Sequence, residues 1–285
     1  MEIYLRLKST GAFFAVDEEN PVEIGGILDF EGPQFGAYGM PRATSRAVEG
    51  GSFIGDRRRG GSVNCEEVFL VAHGNGTHTE SVGHITRERI PIERHCPAPL
   101  LLALHLRCPL VSLDATKETY EGQQSGADEV VTAASVEERV QTLLDSGEHF
   151  DEEVSALVLS LERPAHESKL QDFSGTNPPY LTTEAVQWLR EKKIDHLLLA
   201  LPSLDREEDG GRLPNHHRFF GVSPESSLKE GGASEEARTR TITELLLVPA
   251  SLEEGIFALS LRFPAWGSDA APSRPILYRL KTVEL

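Results

Sequence analysis

Cysteine is scarce in this 285-residue chain. Cys65, Cys96 and Cys108 form no CxxC pair and no even set, which argues against a disulfide framework and fits a reducing cytoplasm. No apolar run approaches the ~20 residues that span a bilayer. The opening MEIYLRLKSTG has no apolar signal core, so neither membrane insertion nor secretion is expected. Positive charge is also short: 28 Lys and Arg against 45 Asp and Glu give a formal net charge of -17. That balance argues against wrapping nucleic acid or an anionic membrane. HExxH, Walker A, GxSxG and GxGxxG motifs are all missing, which removes four familiar catalytic or cofactor-binding loops. What remains is a globular composition, 39% hydrophobic, sufficient for a sizeable core. At roughly 150 residues per domain the length suits one large domain or two small ones.

Periodicity supplies the elements. Ile3, Leu5 and Leu7 alternate with polar residues, so Glu2 to Val16 reads as a hairpin turning at Ser9-Thr10-Gly11. Glu31 to Gly61 is rich in Gly, Arg and Ser and reads as a long ordered flap; Val68 to Ala72 reads as a short apolar strand. Pro109 to Leu113, Val154 to Leu161 and Leu197 to Leu201 read as buried strands. Between them fall two helices. Ser135 with Glu138 suggests a capping box on the first, which has Val136, Val140, Leu143 and Leu144 on one face and Gly147 near its end. Thr182 or Thr183 caps the second, with Ala185, Trp188 and Leu189 inward and Lys192 and Lys193 in its last turn. Strand, helix, strand, helix, strand implies parallel pairing. Ile242 to Val248, Ile256 to Phe263 and Ile276 to Val283 read as strands, and Ser223 to Arg240 as a mobile insertion. The expected class is α/β with a mixed sheet or barrel-like core.

Residues 73 to 84 are the densest chemistry: His-Gly-Asn-Gly-Thr-His-Thr-Glu-Ser-Val-Gly-His. Three of the ten histidines stand here beside a carboxylate. Gly74 and Gly76 permit tight turns, so His73, His78, Glu80 and His84 can converge. Imidazole plus carboxylate is the usual ligand set for zinc, and suits manganese or iron. His95, His105, His149, His166 and His196 are scattered and read as surface or hydrogen-bonded residues. Arg57 to Arg59 reads as a solvated turn, with a carboxylate clamp as its functional alternative.

This segment resembles the signature H-x-G-T-H-x-D-x-P-x-H of the metal-dependent cyclase family, which includes kynurenine formamidase (arylformamidase). Gly76-Thr77-His78 matches G-T-H and His84 the last histidine. The resemblance continues through Tyr180 to Arg190, Leu201-Pro-Ser-Leu-Asp205, Pro214-Asn-His216-His217 and Ile242-Thr243-Glu244-Leu245. It implies a swivelling β/α/β fold over residues 62–285, with 1–61 as N-terminal hairpin and flap in the same structural unit. It also implies a hydrolytic centre of one or two Zn²⁺ or Mn²⁺ ions. In that site His78 looks like a ligand and Glu80 stands where the family has a ligating Asp. His216 (or His217) would be the second imidazole and Glu244 the second carboxylate. His84 stands at the catalytic general acid/base, and Asp205 and Thr77 would orient ligands.

Three positions depart from the pattern. The first family histidine falls on Gly74, so either His73 reaches the metal through a one-residue register change or that ligand is lost. Glu80 is one methylene longer than Asp, and Val82 replaces a proline. The resemblance implies hydrolysis of an aryl formamide, as in tryptophan breakdown through kynurenine, or of a similar small amide or lactam. Phe35, Tyr38 and Phe53 of the flap would either stack on an aryl ring or simply pack the loop. The partner implied is a small molecule, and the assembly a cytoplasmic homodimer or larger. Two alternatives stay open: a non-catalytic small-molecule-binding relative with a degraded metal site, and a metal-dependent dehydratase or cyclase.

Overall fold

The computed structural model describes residues 2–7, 11–146, 154–162 and 169–283. At the N-terminus β1 (Tyr4–Arg6) and β2 (Phe13–Val16) form the expected antiparallel hairpin, Tyr4 opposite Ala15. Ser9 and Thr10 of its expected turn lie outside the described residues, and so do Gly147, His149 and His166. After β3 (Val22–Glu23) the flap proves to contain strands: β4 (Thr44–Ala47), β5 (Glu49–Gly50) and β6 (Phe53–Ile54). β4 pairs with β7 (Glu66–Phe69), all four residues of which are exposed. This corrects the bounds of the short apolar strand read at Val68 to Ala72. Only Val68 and Phe69 of its apolar run are extended, and Glu66 and Glu67 before them keep the strand on the surface.

The motif segment is itself a strand, β8 (His78–Ser81), fully buried. β9 (Leu101–Cys108) was not expected from the sequence and lies near the middle of the main sheet. Of Pro109 to Leu113 only β10 (Val111–Ser112) is extended. It belongs to a separate small sheet with β11 (Glu129–Val131) and β13 (Tyr180–Leu181), so it is not the first strand of the parallel series. Helix α1 (Ala133–Asp145) starts earlier than its pattern suggests. Thr132 is the N-cap and exchanges hydrogen bonds with Ser135, while Glu118 accepts from the next two free amides, of Ala133 and Ala134. β12 (Ala156–Leu161), α2 (Thr183–Glu191, capped by Thr182) and β14 (His196–Leu199) follow as expected. Then come α3 (Pro214–Phe220) and α4 (Pro224–Ser227). Ser223 to Arg240 is not a free insertion: Ala233 and Ala237 enter the core, and Arg238 pairs with Glu88 at 2.8 Å. β15 (Thr241–Glu244), β16 (Gly255–Ser260), β17 (Ala270–Pro272) and β18 (Ile276–Val283) complete the chain.

The main sheet runs β1-β2-β18-β16-β9-β12-β14-β15-β8-β17, with β3 on β18. Its centre, β9-β12-β14-β15, is parallel, and antiparallel strands flank it on both sides. The class is mixed α/β. Among the described residues β1 and β17 do not pair, so the sheet is open and the barrel-like alternative falls. Period-two alternation explains the burial of β12 on both faces. Leu157, Leu159 and Leu161 join Leu104, Leu197 and Leu199 beneath α1 and α2, while Ala156 and Val158 join Leu198, Phe257 and Leu277 behind. Each such leucine contributes roughly 1.5–3 kcal/mol on burial. This packing makes a rigid edge, β15-β8-β17, on which chemistry can be placed.

Candidate metal centre

β8 lies between β15 and β17, with His78 opposite Glu244 and Glu80 opposite Ile242 and Ala270. Alternation sends His78 and Glu80 to one face. Thr79 points to the other, where its hydroxyl meets that of Thr243 at 2.8 Å. Glu244 ends β15, so the first three groups of the cluster sit at the carboxyl edge of the parallel strands, where α/β sheets hold ligands. Thr77 acts as a tie. Its hydroxyl donates to the Leu245 carbonyl at 2.5 Å and accepts from the Gly26 amide at 2.8 Å, locking the strand start to two other segments.

His73 points into the cluster. It sits on a short 3-10 turn, Ala72–Gly74, with Nδ1 3.0 Å from Glu80 Oε2. A Cβ on Gly74 would fall 2.7 Å from Met40, so no side chain fits at the family's usual position. His216 comes from α3. Asp205 builds this helix start: its carboxylate accepts from the Asn215 and His216 amides at 2.9 and 3.0 Å, and from His216 Nδ1 at 2.6 Å. That leaves His216 Nε2 at 3.1 Å from Glu80 Oε1 and 3.8 Å from Glu244 Oε1. His217 turns away and donates from Nδ1 to the Val222 carbonyl at 2.7 Å. The two histidines diverge because they are neighbours on a helix, where adjacent side chains point about 100° apart.

His84 follows on the next 3-10 turn, Val82–His84, with Nε2 4.0 Å from Glu80 Oε2. Asp269, which no motif pointed to, completes the group. Its Oδ2 accepts from His73 Nε2 at 2.7 Å and stands 3.5 Å from His84 Nδ1. It lies in the loop before β17, far along the chain, and only strand pairing brings it here.

The electrostatics follow from crowding carboxylates and imidazoles in a buried place. Burial opposes charge on Glu80, but the neighbouring imidazoles of His84 and His216 outweigh it and hold the carboxyl well below its usual range. Burial likewise disfavours charge on His73, yet Asp269 and Glu80 raise it to about 10. His216 is raised by Glu80 and Asp205 against the same burial, and Asp269 is lowered chiefly by the His73 hydrogen bond. Despite the short approaches, His78 Nε2, both Glu80 oxygens, His216 Nε2 and Glu244 Oε1 are buried without a hydrogen bond. Buried polar atoms are ordinarily paired, so five orphans in one place require an explanation.

Their spacing supplies one. Donor atoms held about 2.1 Å from a tetrahedral ion lie roughly 3.4 Å apart. Here His216 Nε2 to Glu80 Oε1 is 3.1 Å and His78 Nε2 to Glu244 Oε2 is 3.4 Å. The outer nitrogens are anchored in the way ligating histidines are: His78 Nδ1 on the Gly76 carbonyl at 3.1 Å, His216 on Asp205, His73 on Asp269. The donor set fits a divalent cation.

The remaining sequence expectations sort clearly. Arg58 pairs with Asp56 at 3.1 Å, Arg59 with Glu49 at 2.5 Å, and Arg57 donates to the Ser62 carbonyl at 2.8 Å. No clamp is left over. Phe35 is buried against Phe173. Tyr38 is the flap aromatic at the cluster. Its hydroxyl donates to the Pro202 carbonyl at 2.9 Å, and its phenol is pushed well up by burial and by Glu244.

An α/β sheet edge carrying a buried histidine–carboxylate cluster that could hold a metal ion is the class that fold and site define. The chain belongs to the family described as "Putative cyclase", whose model matches residues 18–206. Similar solved structures include an isatin hydrolase bound to the product analogue thioisatinate. It is 14% identical, covers 92% of this chain and 93% of that one, and has a TM-score of 0.59. Isatin hydrolase A from Labrenzia aggregata, bound to benzyl benzoate, is 14% identical over 91% and 93%, with a TM-score of 0.58. A predicted metal-dependent hydrolase from Bacillus stearothermophilus is 14% identical over 91% and 98%, with a TM-score of 0.53. No curated protein matches. Among the described residues no helix is long and apolar enough to cross a membrane.

Proposed function

We propose that the protein is a metal-dependent hydrolase cleaving the C–N bond of a small aryl-bearing amide, either a lactam or an aryl formamide. The observation that carries this reading is the set of orphaned inner atoms of His78, Glu80, His216 and Glu244, with both histidines anchored through their outer Nδ1. His73, His78, Glu80, His216 and Glu244 are the proposed ligands of one or two Zn²⁺ or Mn²⁺ ions. Glu80 is suited to bridge, since Oε2 faces His73 and Oε1 faces His216. A bound divalent ion would polarise the amide carbonyl and acidify water beside it. Asp205 fixes the His216 tautomer by accepting from Nδ1, and Thr77 fixes the start of β8. His84 is the proposed general acid/base. It is half-buried, and its Nδ1 faces Asp269 Oδ2 at 3.5 Å. A carboxylate on that side favours the proton on Nδ1 and leaves Nε2 to accept a proton from water and return it to the departing nitrogen.

The lactam arm is favoured by the likeness to isatin hydrolases, isatin being a cyclic amide on an aryl ring. The reading takes 1–61 and 62–285 as one structural unit working in the cytoplasm as a homodimer or larger. Exposed Phe53, Val63, Val68 and Phe69 around the flap support an assembly surface.

The test is metal content of untagged protein after incubation with Zn²⁺ or Mn²⁺, beside His78→Ala, followed by hydrolysis assays on isatin and N-formylaniline. Stoichiometric metal lost in the variant, with product from one substrate, is expected. Wild type without metal would overturn the hydrolase reading in favour of a binding protein.

A further inference from the structure

We infer that Asp269 is a positioning residue that makes His73 a metal ligand; the inference rests on the proposed metal site. Of the three histidines proposed as ligands, His73 is the least buried. It stands on a three-residue turn, one place earlier than the family pattern, and its side chain remains 23% exposed. His78 is held by the strand and by a backbone carbonyl, and His216 by a helix start and Asp205. For His73 the corresponding anchor is Asp269 Oδ2, accepting from Nε2 at 2.7 Å. When an ion displaces the proton on Nδ1, the one held on Nε2 by Asp269 stays, and Nδ1 is the atom that faces Glu80 Oε2 at 3.0 Å. The carboxylate therefore selects both the tautomer and the ring orientation that coordination needs.

Asp269 is itself fixed before any ion arrives. Its carbonyl accepts from the Ser81 amide at 2.9 Å, at the end of β8. Its Oδ1 accepts from the Ser268 hydroxyl at 3.0 Å. The next residue, Ala270, is the cross-strand partner of Glu80. The anchor of His73 is thus built on the same strand pairing that places Glu80. This is how a register-shifted histidine recovers the ligand position that Gly74 cannot fill.

The test is Zn²⁺ affinity by chelator competition in four proteins: wild type, Asp269→Ala, His73→Ala and the double variant. Thermal unfolding without metal is recorded alongside. The expected result for Asp269→Ala is an affinity loss of about 10–100-fold, and the metal-free unfolding shows that the variant is folded. No further loss is expected when the same change is made in His73→Ala, because paired residues are non-additive. Asp269→Asn, which keeps an acceptor, should recover part of the affinity, and it carries the test should the alanine variant not fold. With Co²⁺ as probe, Asp269→Ala should shift the visible spectrum toward that of His73→Ala. Unchanged affinity, or an equal loss with and without His73, overturns the inference and leaves the metal site standing. A wild type that binds no Zn²⁺ overturns the metal site itself, and the inference with it.

Discussion

His105 and His78 are both fully buried on strands of one sheet, yet their surroundings differ in kind. His105, on β9, donates from Nδ1 to the Glu253 carbonyl and accepts at Nε2 from the Ser160 hydroxyl, each at 2.8 Å. Burial pushes it down to about 4. His196, on β14, meets the Thr241 hydroxyl at 2.9 Å and is likewise pushed down to about 4 by burial. Four strands away the cluster keeps His78 Nε2 and His216 Nε2 unbonded, and carboxylates drive His73 and His216 upward. Burial alone makes a neutral structural histidine. Burial with carboxylates and orphaned inner atoms makes a set of donors that fits a cation.

The largest expected effect separates the two regions directly. His216→Ala should lower Zn²⁺ affinity by more than about 100-fold, beyond what loss of an outer anchor does. Metal-free stability should fall as well, because the buried Asp205 carboxylate loses its Nδ1 donor. His105→Ala should cost stability alone. It opens a cavity and strands the Glu253 carbonyl and Ser160 hydroxyl, a loss of about 2–4 kcal/mol, while affinity stays within about twofold, as for distant sites. Metal titration and denaturant unfolding of both variants are the measurements. Equal loss of affinity in the two would erase the distinction.

The next effect is on pH. His105 and His196 have native values below the ordinary 6.5, so the unfolded chain binds their protons first. Their contribution is complete above pH 6.5 and is lost as pH falls through about 4. His73 has the opposite sign. Raised to about 10, it contributes fully below 6.5, and that contribution is lost as pH rises through about 10. The metal-free protein should therefore lose stability on both limbs of a denaturant-midpoint profile. Zn²⁺ should flatten the alkaline limb alone, because ligation requires the unprotonated imidazole. His105→Gln should shallow the acid limb alone. A profile whose acid limb responds to Zn²⁺ as strongly as the alkaline one would break the comparison.

What the sequence made legible follows the range of each signal. Period-two runs and N-caps are local, so β12, α2 and β14 could be read directly, as could the metal-facing loop. The motif's inner residues all converge, including His73, whose reach turned on a packing contact between Gly74 and Met40 that no pattern encodes. β9 was overlooked because His105 and Arg107 interrupt an otherwise apolar run, and both find partners only in the folded sheet. α1 began at Thr132, not Ser135, since the deciding acceptors include Glu118 from a distant loop. Asp269 was invisible for the same reason: it belongs to the site only through the pairing of β17 with β8.

The smallest effect tests whether a group can belong to the cluster region without holding metal. Tyr38 has a left-handed backbone at φ 60°, a conformation that non-glycine residues keep where surrounding structure enforces it. The adjacent Gly39 amide donates to Ser174 at 2.8 Å, and the Tyr38 hydroxyl to Pro202 at 2.9 Å, so the flap is pinned across the site from two sides. Burial and the charges of Glu244 and Glu80 keep the phenol protonated, while the residue as a whole stays 36% exposed. A neutral, pinned and partly exposed aromatic residue is suited to an aryl substrate and unsuited to a cation. Tyr38→Phe should leave Zn²⁺ affinity unchanged. Losing one hydrogen bond, worth about 0.5–1.5 kcal/mol, should weaken kcat/KM on the accepted amide by roughly 2–10-fold, mainly through KM. A fall in Zn²⁺ affinity comparable to that of His216→Ala would instead make Tyr38 part of the cation site, and the line between the ligand shell and the substrate face would have to be redrawn.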